Sequence, residues 1–312
     1  MRSLHLVPAG IALPFIVNRK LFFTFSSFLV LSSLVLFAVL GLNYGIDFKG
    51  GILIEIKTAE QADIGIMRST LSGLGVGEVG LQEFGAPDEI LIRIQRQEGG
   101  EGAQQVAVEK VKSVLGTGVE YRRTEFVGPK VSDELFWDGV SAVAAAIFAI
   151  LLYIWFRFEW QFGVCAVVAL VHDVFSTIGI FALLGMEFNL STVAAILTIA
   201  GYSINDTVVV FDRVRENLRK YKKKALGEVF DLSINQTLSR TVMTSVTTLL
   251  ALLALYFLGG EVIRGFSFAM IWGVLIGTYS SICLAVPLLL YMNLRRRQTG
   301  DGEAGEATEE TP

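Results

Sequence analysis

The chain has 312 residues, of which 53% are hydrophobic and 18% carry a charged side chain, with a formal net charge of −4. Its mean hydropathy of +0.57 is unusual for a soluble domain and favours a membrane protein. No excess of Lys and Arg is available to neutralise phosphates, which argues against nucleic acid as a partner. The two cysteines lie in distant apolar runs, which argues against a disulfide framework.

Six apolar stretches each approach the ~20 residues that a helix needs to cross a bilayer. They predict transmembrane helices at 21–42, 139–156, 161–185, 188–211, 240–260 and 265–294. The first stretch follows Arg19 and Lys20, as a signal peptide would. It is longer than a typical signal core, however, and no small-residue cleavage site follows it. We therefore interpret it as a retained anchor.

The basic residues in short loops predict the orientation, because such loops stay on the cytoplasmic side. A basic cluster lies within 213–224, whereas the short loops of the opposite side carry only Arg264. The N-terminal segment 1–20, the basic loop 212–239 and the acidic tail 295–312 are therefore predicted to be cytoplasmic. The tail is predicted to be disordered. The basic loop is either an interfacial amphipathic helix on membrane lipids or a plain loop.

The segment 43–138, between the first two spans, has the composition of a soluble domain and is predicted to lie outside the membrane. Its apolar pattern predicts the order strand, helix, strand, strand, helix, strand. These elements are expected at 52–57, 60–74, 78–84, 89–95, 103–115 and 119–126. This order indicates a small ferredoxin-like α+β exterior domain attached to an α-helical membrane bundle of six transmembrane helices.

The charges inside the spans are the candidate functional residues, since the sequence contains no nucleotide-binding loop, zinc-protease motif or Cys/His cluster. A lone charge near the bilayer centre costs at least ~2.5 kcal/mol and usually faces a polar interior. Three such charges occur, at Asp173, Asp206 and Arg240. Asp206 and Arg240 lie at matching depth on consecutive spans. They could form a protonation switch or a fixed ion pair that holds two helices together.

Polar residues accompany these charges at helical spacing. Tyr202 and Ser203 share the face of Asp206, and His172 lies beside Asp173. The helix of Arg240 carries a threonine stripe at Thr237, Thr241 and Thr244. These side chains would line a polar path or simply form structural hydrogen bonds. In the last span a row of small residues predicts a close helix contact, at Ala269, Gly273, Gly277, Ser281 and Ala285.

Five motifs resemble the SecF family of bacterial protein-export proteins, half-size relatives of the RND transporters. They are YGIDFKGG (44–51), HDV (172–174), GYSINDTVVVFDRVREN (201–217), SINQTLSRT (233–241) and GTYSS (277–281). The resemblance implies a complex with SecD and YajC beside the SecYEG channel in the cell membrane. In that complex the flow of H⁺ or Na⁺, and no other cofactor, helps to draw the preprotein outward.

The resemblance also assigns roles to individual residues. Asp206 would be the carboxylate that carries the ion, and Arg240 would be its partner. We further expect the exterior domain to be joined to the bundle through a junction at Asp47, Gly50 and Gly51. The chain is not expected to be an enzyme.

Two other function classes remain open at this point. Half of an RND-type exporter of small molecules or lipids would share the six spans. Such pumps carry much larger exterior domains, and the segment here is too short for a porter pocket of its own. A purely structural assembly factor is the second alternative, and it predicts that Asp206 and Arg240 tolerate any change that preserves packing.

Overall fold

The computed structural model describes residues 12–116 and 118–292. The predictions for 1–11, for 293–294 and for the tail 295–312 therefore lie outside the described residues. The helices are α1 (Arg19–Leu40), α2 (Ile46–Lys49), α3 (Ile64–Ser72), α4 (Glu101–Leu115), α5 (Pro129–Arg157), α6 (Trp160–Leu184), α7 (Leu190–Lys220), α8 (Leu226–Leu258), α9 (Glu261–Ser280) and α10 (Val286–Leu288). The strands are β1 (Asn43–Tyr44), β2 (Gly51–Thr58), β3 (Val79–Phe84), β4 (Ala86–Ile94), β5 (Val119–Val127) and β6 (Glu187–Phe188).

Six helical stretches of the described chain are long and apolar enough to cross a membrane. Five are α1, α5, α6, α7 and α8. The sixth begins with α9 and continues through a π-helical turn (Ser281–Ala285), α10 and a 3₁₀ turn (Leu289–Tyr291). The predicted bundle of six transmembrane helices is confirmed.

Strands β2 to β5 form one antiparallel sheet in the order β3-β4-β2-β5, between α1 and α5. The alternation of β2 places Ile52, Ile54 and Ile56 on one face, where all three are fully buried with residues of α3 and α4. Two helices inserted between four strands in this order give the ferredoxin-like arrangement. The predicted α+β domain between the first two spans is confirmed.

Two predicted segments are more helical than expected. The basic segment 212–239 was predicted as a plain loop or an interfacial amphipathic helix, but most of it belongs to two spanning helices, since α7 continues to Lys220 and α8 begins at Leu226. Val229 and Phe230 are fully buried against the bundle, which explains why α8 begins so early. Likewise, α5 begins at Pro129, inside the segment 43–138 that was predicted to be exterior. The helix can begin there because proline is favourable at the first position of a helix.

The bundle has a buried centre and an apolar outer surface. Helix α6 packs against α1, α7 and α9, while α7 also contacts α5 and α8. Large apolar side chains on α1, α5 and α8 remain exposed, such as Phe28, Phe156 and Leu258. Surface of this kind is suited to lipid or to the helices of a partner, because water would penalise its exposure.

The central position of Ile54 allows a test of the domain core. We expect Ile54→Ala to reduce the free energy of opening of the sheet by about 2 to 5 kcal/mol, because the substitution leaves a cavity. Hydrogen exchange of the β2 and β4 amides in the full chain measures this quantity. The matched control is Ile66→Ala, since Ile66 is 65% exposed. We expect that variant to change it by less than about 0.5 kcal/mol. Equal effects of the two substitutions would contradict the assigned core.

Candidate functional site

Asp173 on α6 is the centre of a buried polar cluster in the bundle. Its side chain is fully buried. Oδ2 accepts hydrogen bonds from the hydroxyls of Ser203 on α7, at 2.6 Å, and Ser280 on α9, at 2.8 Å. Oδ1 lies 2.9 Å from Nδ1 of the neighbouring His172. One carboxylate therefore joins three helices, and both of its oxygens have partners.

Asp206 lies one turn after Ser203 on α7 and is only 4% exposed. Its Oδ2 has no hydrogen-bond partner among the described residues. Arg240 on α8 is exposed on the surface of the bundle. It acts on Asp206 electrostatically, but these two described side chains form no direct salt bridge. The sequence suggested that the pair could be in contact. The structure brings the two charges near one another and leaves one carboxylate oxygen unpaired.

The polar residues predicted around this pair have different surroundings. The Tyr202 hydroxyl donates to Ser245 on α8 at 3.5 Å. The hydroxyls of Thr237 and Thr244 bond to carbonyls of their own helix, at Ser233 and Ile234 and at Arg240 and Thr241. Thr241 is buried, and its hydroxyl has no partner within the described part of the chain. The threonine stripe is thus largely satisfied by its own backbone, except at Thr241.

The small residues of the last span face α7. A Cβ at Gly273 would overlap the side chain of Ile199, and one at Gly277 would lie 3.0 Å from the Cβ of Ser203. The absence of these atoms lets α9 approach α7 closely enough for Ser280 to reach Asp173. Ser281, the next member of the row, is the first residue of the π-helical turn. Its hydroxyl bonds to the carbonyl of Ser203 at 3.2 Å and lies 2.8 Å from the hydroxyl of Thr207.

The junction with the exterior domain is tied to the start of α7. Asp47 accepts a hydrogen bond from the backbone N–H of Leu190, at 2.9 Å, at the first residue of that helix. Asn189 accepts from the N–H of Thr192 in a capping box. A carboxylate at this position also interacts favourably with the positive end of the helix dipole. The motif that leaves the first span therefore caps the helix that carries Asp206.

The two glycines of the junction are required by backbone geometry. Gly50 and Gly51 adopt φ values of +68° and +126°, which other residues rarely adopt. A Cβ at Gly51 would also lie 2.6 Å from the carbonyl oxygen of Ile94. The chain turns here from α2 directly into β2, the central strand that pairs with both β4 and β5.

A second set of contacts holds the exterior domain on the bundle. Strand β1 pairs with β6 in parallel, so that Asn43 lies opposite Glu187. Arg93 of β4 forms an ion pair with Glu187. Burial raises the pKa of the Glu187 carboxyl, and the neighbouring Arg93 acts in the opposite direction. The carboxyl consequently takes up a proton at a higher pH than an exposed glutamate does, and protonation would weaken this ion pair.

Some partners in the cluster could not be identified from the sequence. Ser280 lies in the GTYSS motif, but only the fold shows that it bonds to a residue of α6. Asp47 was assigned to the junction, whereas its role as a cap of α7 depends on a residue 143 positions away. Within the described ranges, no three His, Cys, Asp or Glu side chains are grouped so as to hold a metal ion.

Comparison with known proteins identifies the family. The model of the protein export membrane protein SecD/SecF C-terminal region matches residues 107–295, and the SecD/SecF GG motif matches residues 35–62. The first match covers more than half of the chain. The chain belongs to the SecD/SecF family. The GG motif contains the junction at Asp47, Gly50 and Gly51, and the longer match contains Asp173, Asp206 and Arg240.

Individual relatives agree with this family. The protein translocase subunit SecF of Rhodobacter capsulatus is 50% identical over 285 residues, which are 86% of each chain. The SecF of Rickettsia rickettsii is 45% identical over 293 residues, covering 92% of this chain and 94% of that relative. The resemblance to SecF predicted from the sequence motifs is confirmed. With its six spans, the chain is a multi-pass membrane protein.

Two solved structures resemble the chain along most of its length. The crystal structure of SecDF, a translocon-associated membrane protein from Thermus thermophilus, matches with a TM-score of 0.83 at 36% identity. SecDF in the super-membrane-facing form matches with a TM-score of 0.68 at 35% identity. Each match covers 92% of this chain and 39% of the solved chain. This SecD/SecF family member therefore corresponds to a part of the longer SecDF chain.

The polar cluster of this SecD/SecF protein can be tested at Ser203. We expect Ser203→Ala to lower the free energy of unfolding by about 1.5 to 3 kcal/mol, because a hydroxyl that donates to a buried carboxylate is lost. Unfolding of the purified protein by SDS measures this quantity. Thr198→Ala on the same helix is the control, since Thr198 is exposed and bonds to the carbonyl of Ala194. A loss at Thr198 as large as that at Ser203 would contradict the importance of the cluster.

The cap at Asp47 can be tested by hydrogen exchange at the start of α7. We expect Asp47→Ala to destabilise this first turn by about 0.5 to 2 kcal/mol and to speed the exchange of the Leu190 amide. The Thr192 amide keeps its acceptor, Asn189, and serves as an internal reference. Asp133→Ala, which removes an exposed carboxylate of α5, should leave both amides unchanged. Unchanged exchange at Leu190 in Asp47→Ala would refute the cap.

Proposed function

We propose that this chain is a subunit of the Sec protein translocase that works with SecD and uses an H⁺ or Na⁺ gradient to drive late steps of preprotein export. The curated relatives named protein translocase subunit SecF support the translocase role. The match to SecDF, whose chain is longer, supports SecD as the partner that supplies the remaining part. YajC and the SecYEG channel are the further partners that we propose.

The observation that carries the proposal is the continuity of α7. This one helix begins at the cap provided by Asp47 and carries both Ser203 and Asp206. A change of charge at Asp206 alters the balance between desolvation and attraction to Arg240. Any resulting shift of α7 would act on the exterior domain through Asp47 and through the ion pair between Arg93 and Glu187. These contacts provide a route from ion binding to movement outside the membrane.

The unpaired oxygen of Asp206 supports this residue as the position that binds the coupling ion. A buried carboxylate without a full set of partners is costly, and binding of a proton or Na⁺ would relieve that cost. Arg240 is exposed on the bundle surface, so a partner subunit can approach it. A fixed structural pair would instead be expected to satisfy both oxygens of the carboxylate.

We propose that the protein lies in the cell membrane with both termini in the cytoplasm and the α+β domain outside. The basic residues between α7 and α8 support this orientation under the positive-inside rule. The exposed apolar surfaces of α1, α5 and α8 would contact lipid and the helices of SecD. In this orientation Asp47 lies on the exterior side and Asp206 lies within the membrane. Export driven by an ion gradient would need to connect these two positions.

Asp206→Asn tests the coupling role. In proteoliposomes containing this chain, SecD and SecYEG, we expect the variant to lose the stimulation of late export by an ion gradient, because the amide cannot take up or release a proton. The measurement is the rate at which a preprotein completes translocation with and without the gradient. Separate H⁺ and Na⁺ gradients identify the coupling ion. Unchanged stimulation would rule out Asp206 as the coupling residue and favour a structural role.

The matched control is Asp212→Asn on the same helix. Asp212 pairs with Arg157 at 2.6 Å, and its side chain is 42% exposed. We expect this variant to retain the gradient-dependent stimulation. A transport assay with a small lipophilic cation on the same proteoliposomes tests the alternative of an RND-type exporter. If the gradient moves the lipophilic cation and has no effect on export, the exporter function would replace the export proposal.

A further inference from the structure

His172 is a buried ionisable residue that the proposed coupling at Asp206 does not use. It lies on α6 and is 3% exposed. Its Nδ1 is 2.9 Å from Oδ1 of Asp173, whereas its Nε2 has no hydrogen-bond partner among the described residues. A buried imidazole nitrogen without a partner is unusual, because such groups are normally satisfied in native proteins.

The hydrogen bonds around Asp173 determine which imidazole nitrogen carries the hydrogen. The hydroxyls of Ser203 and Ser280 both direct hydrogens to Oδ2, which stabilises the charged carboxylate. The bond from Ser280 is shorter than its alternative bond to the carbonyl of Gly277, which is 3.1 Å. A charged carboxylate accepts hydrogen bonds and cannot donate them, so Nδ1 of His172 must be the donor. The neutral ring then has an unshared electron pair on Nε2.

We propose that Nε2 of His172 is a proton-binding site in the membrane part of this chain, separate from Asp206. Proton uptake forms a new N–H bond at Nε2 and converts the imidazole into an imidazolium. The positive ring then forms a buried ion pair with the Asp173 carboxylate.

The other ionisable groups around His172 leave Asp173 as its charged partner. From α9 the ring of Tyr279 lies 6.1 Å from the imidazole, and its hydroxyl bonds to Ser26 and to the carbonyl of Phe22 on α1. Helix α1 itself is charged only at its first two residues. The remaining ionisable groups on the elements that pack against α6 include Cys283 on the π-helical turn, Asp206 on α7 and the end charges of α5.

Protonation at this position would affect the same helices as Asp206. While the His172 ring is neutral, the Asp173 carboxylate is held by Ser203 on α7 and Ser280 on α9. An imidazolium at Oδ1 attracts the carboxylate more strongly than a neutral ring does, and so draws negative charge away from Oδ2, the oxygen that the two serines bind. His172 would therefore adjust how tightly α6 holds α7 and α9. His172 is thus a second ion-binding position, linked to Ser203 of α7 through Asp173.

The chain offers a direct spectroscopic test, because its only other histidine is His5. The full chain with His5→Gln, carrying an affinity tag without histidine, is labelled with ¹⁵N-histidine and placed in lipid nanodiscs. At high pH we expect the neutral ring to carry its hydrogen on Nδ1. On acidification we expect Nε2 to become protonated. A neutral ring with its hydrogen on Nε2, or a ring that does not change between about pH 9 and 5, would overturn the proposal.

Two variants identify the cause of the titration. In Asp173→Asn the imidazolium loses its charged partner, so a smaller fraction of the rings should be protonated on both nitrogens at the same acidic pH. Asp206→Asn should leave both the tautomer and the titration in place. Loss of the titration in Asp206→Asn would show that His172 only responds to Asp206, and would overturn its assignment as a separate site. The test involves neither SecD nor export, so it stands independently of the proposed function.

Discussion

The packing of the bundle depends on the carboxylate of Asp173. A charge in this interior is tolerated only when hydrogen bonds replace its hydration. The donors come from α7 and α9 as well as from the neighbouring histidine, so the three helices are held at the distances that these bonds allow. The small residues of α9 follow from the same requirement. A larger side chain at Gly277 would push α9 away from Ser203 and remove Ser280 from the carboxylate.

The sequence is sufficient to predict the six spans, the succession of strands and helices along the exterior domain and the charges within the apolar segments. Apolar runs and isolated charges are signals that can be read along one segment at a time. The ends of α7 and α8 are different, because hydropathy marks the bilayer and not the end of a helix. Basic residues near Lys220 indicate an aqueous boundary, yet they also suit the C-terminal end of a helix. The helix therefore continues beyond the apolar run.

The arrangement of the site depends on contacts between distant segments. Asp206 and Arg240 were recognisable as charges, but their separation and the unpaired oxygen depend on how α7 and α8 cross. The pairing of Asp173 with Ser280 joins residues 107 positions apart. Many serines in apolar helices bond only to their own backbone, as Ser33 does with Leu29. No local pattern distinguishes Ser280 from those residues, so its role is visible only in the packed bundle.

The contacts of the exterior domain explain why a movement of α7 would reach the sheet. Asp47, the β1–β6 pairing and the ion pair from Arg93 all connect to the short segment between α6 and α7. From Leu190 to Asp206 the helix extends about 24 Å, at 1.5 Å per residue. A continuous α-helix transmits displacement along its axis, because shortening it would break its backbone hydrogen bonds. Arg93 lies on β4, which is an inner strand of the sheet next to β2. A displacement of α7 would therefore act on the middle of the sheet and not on an edge strand.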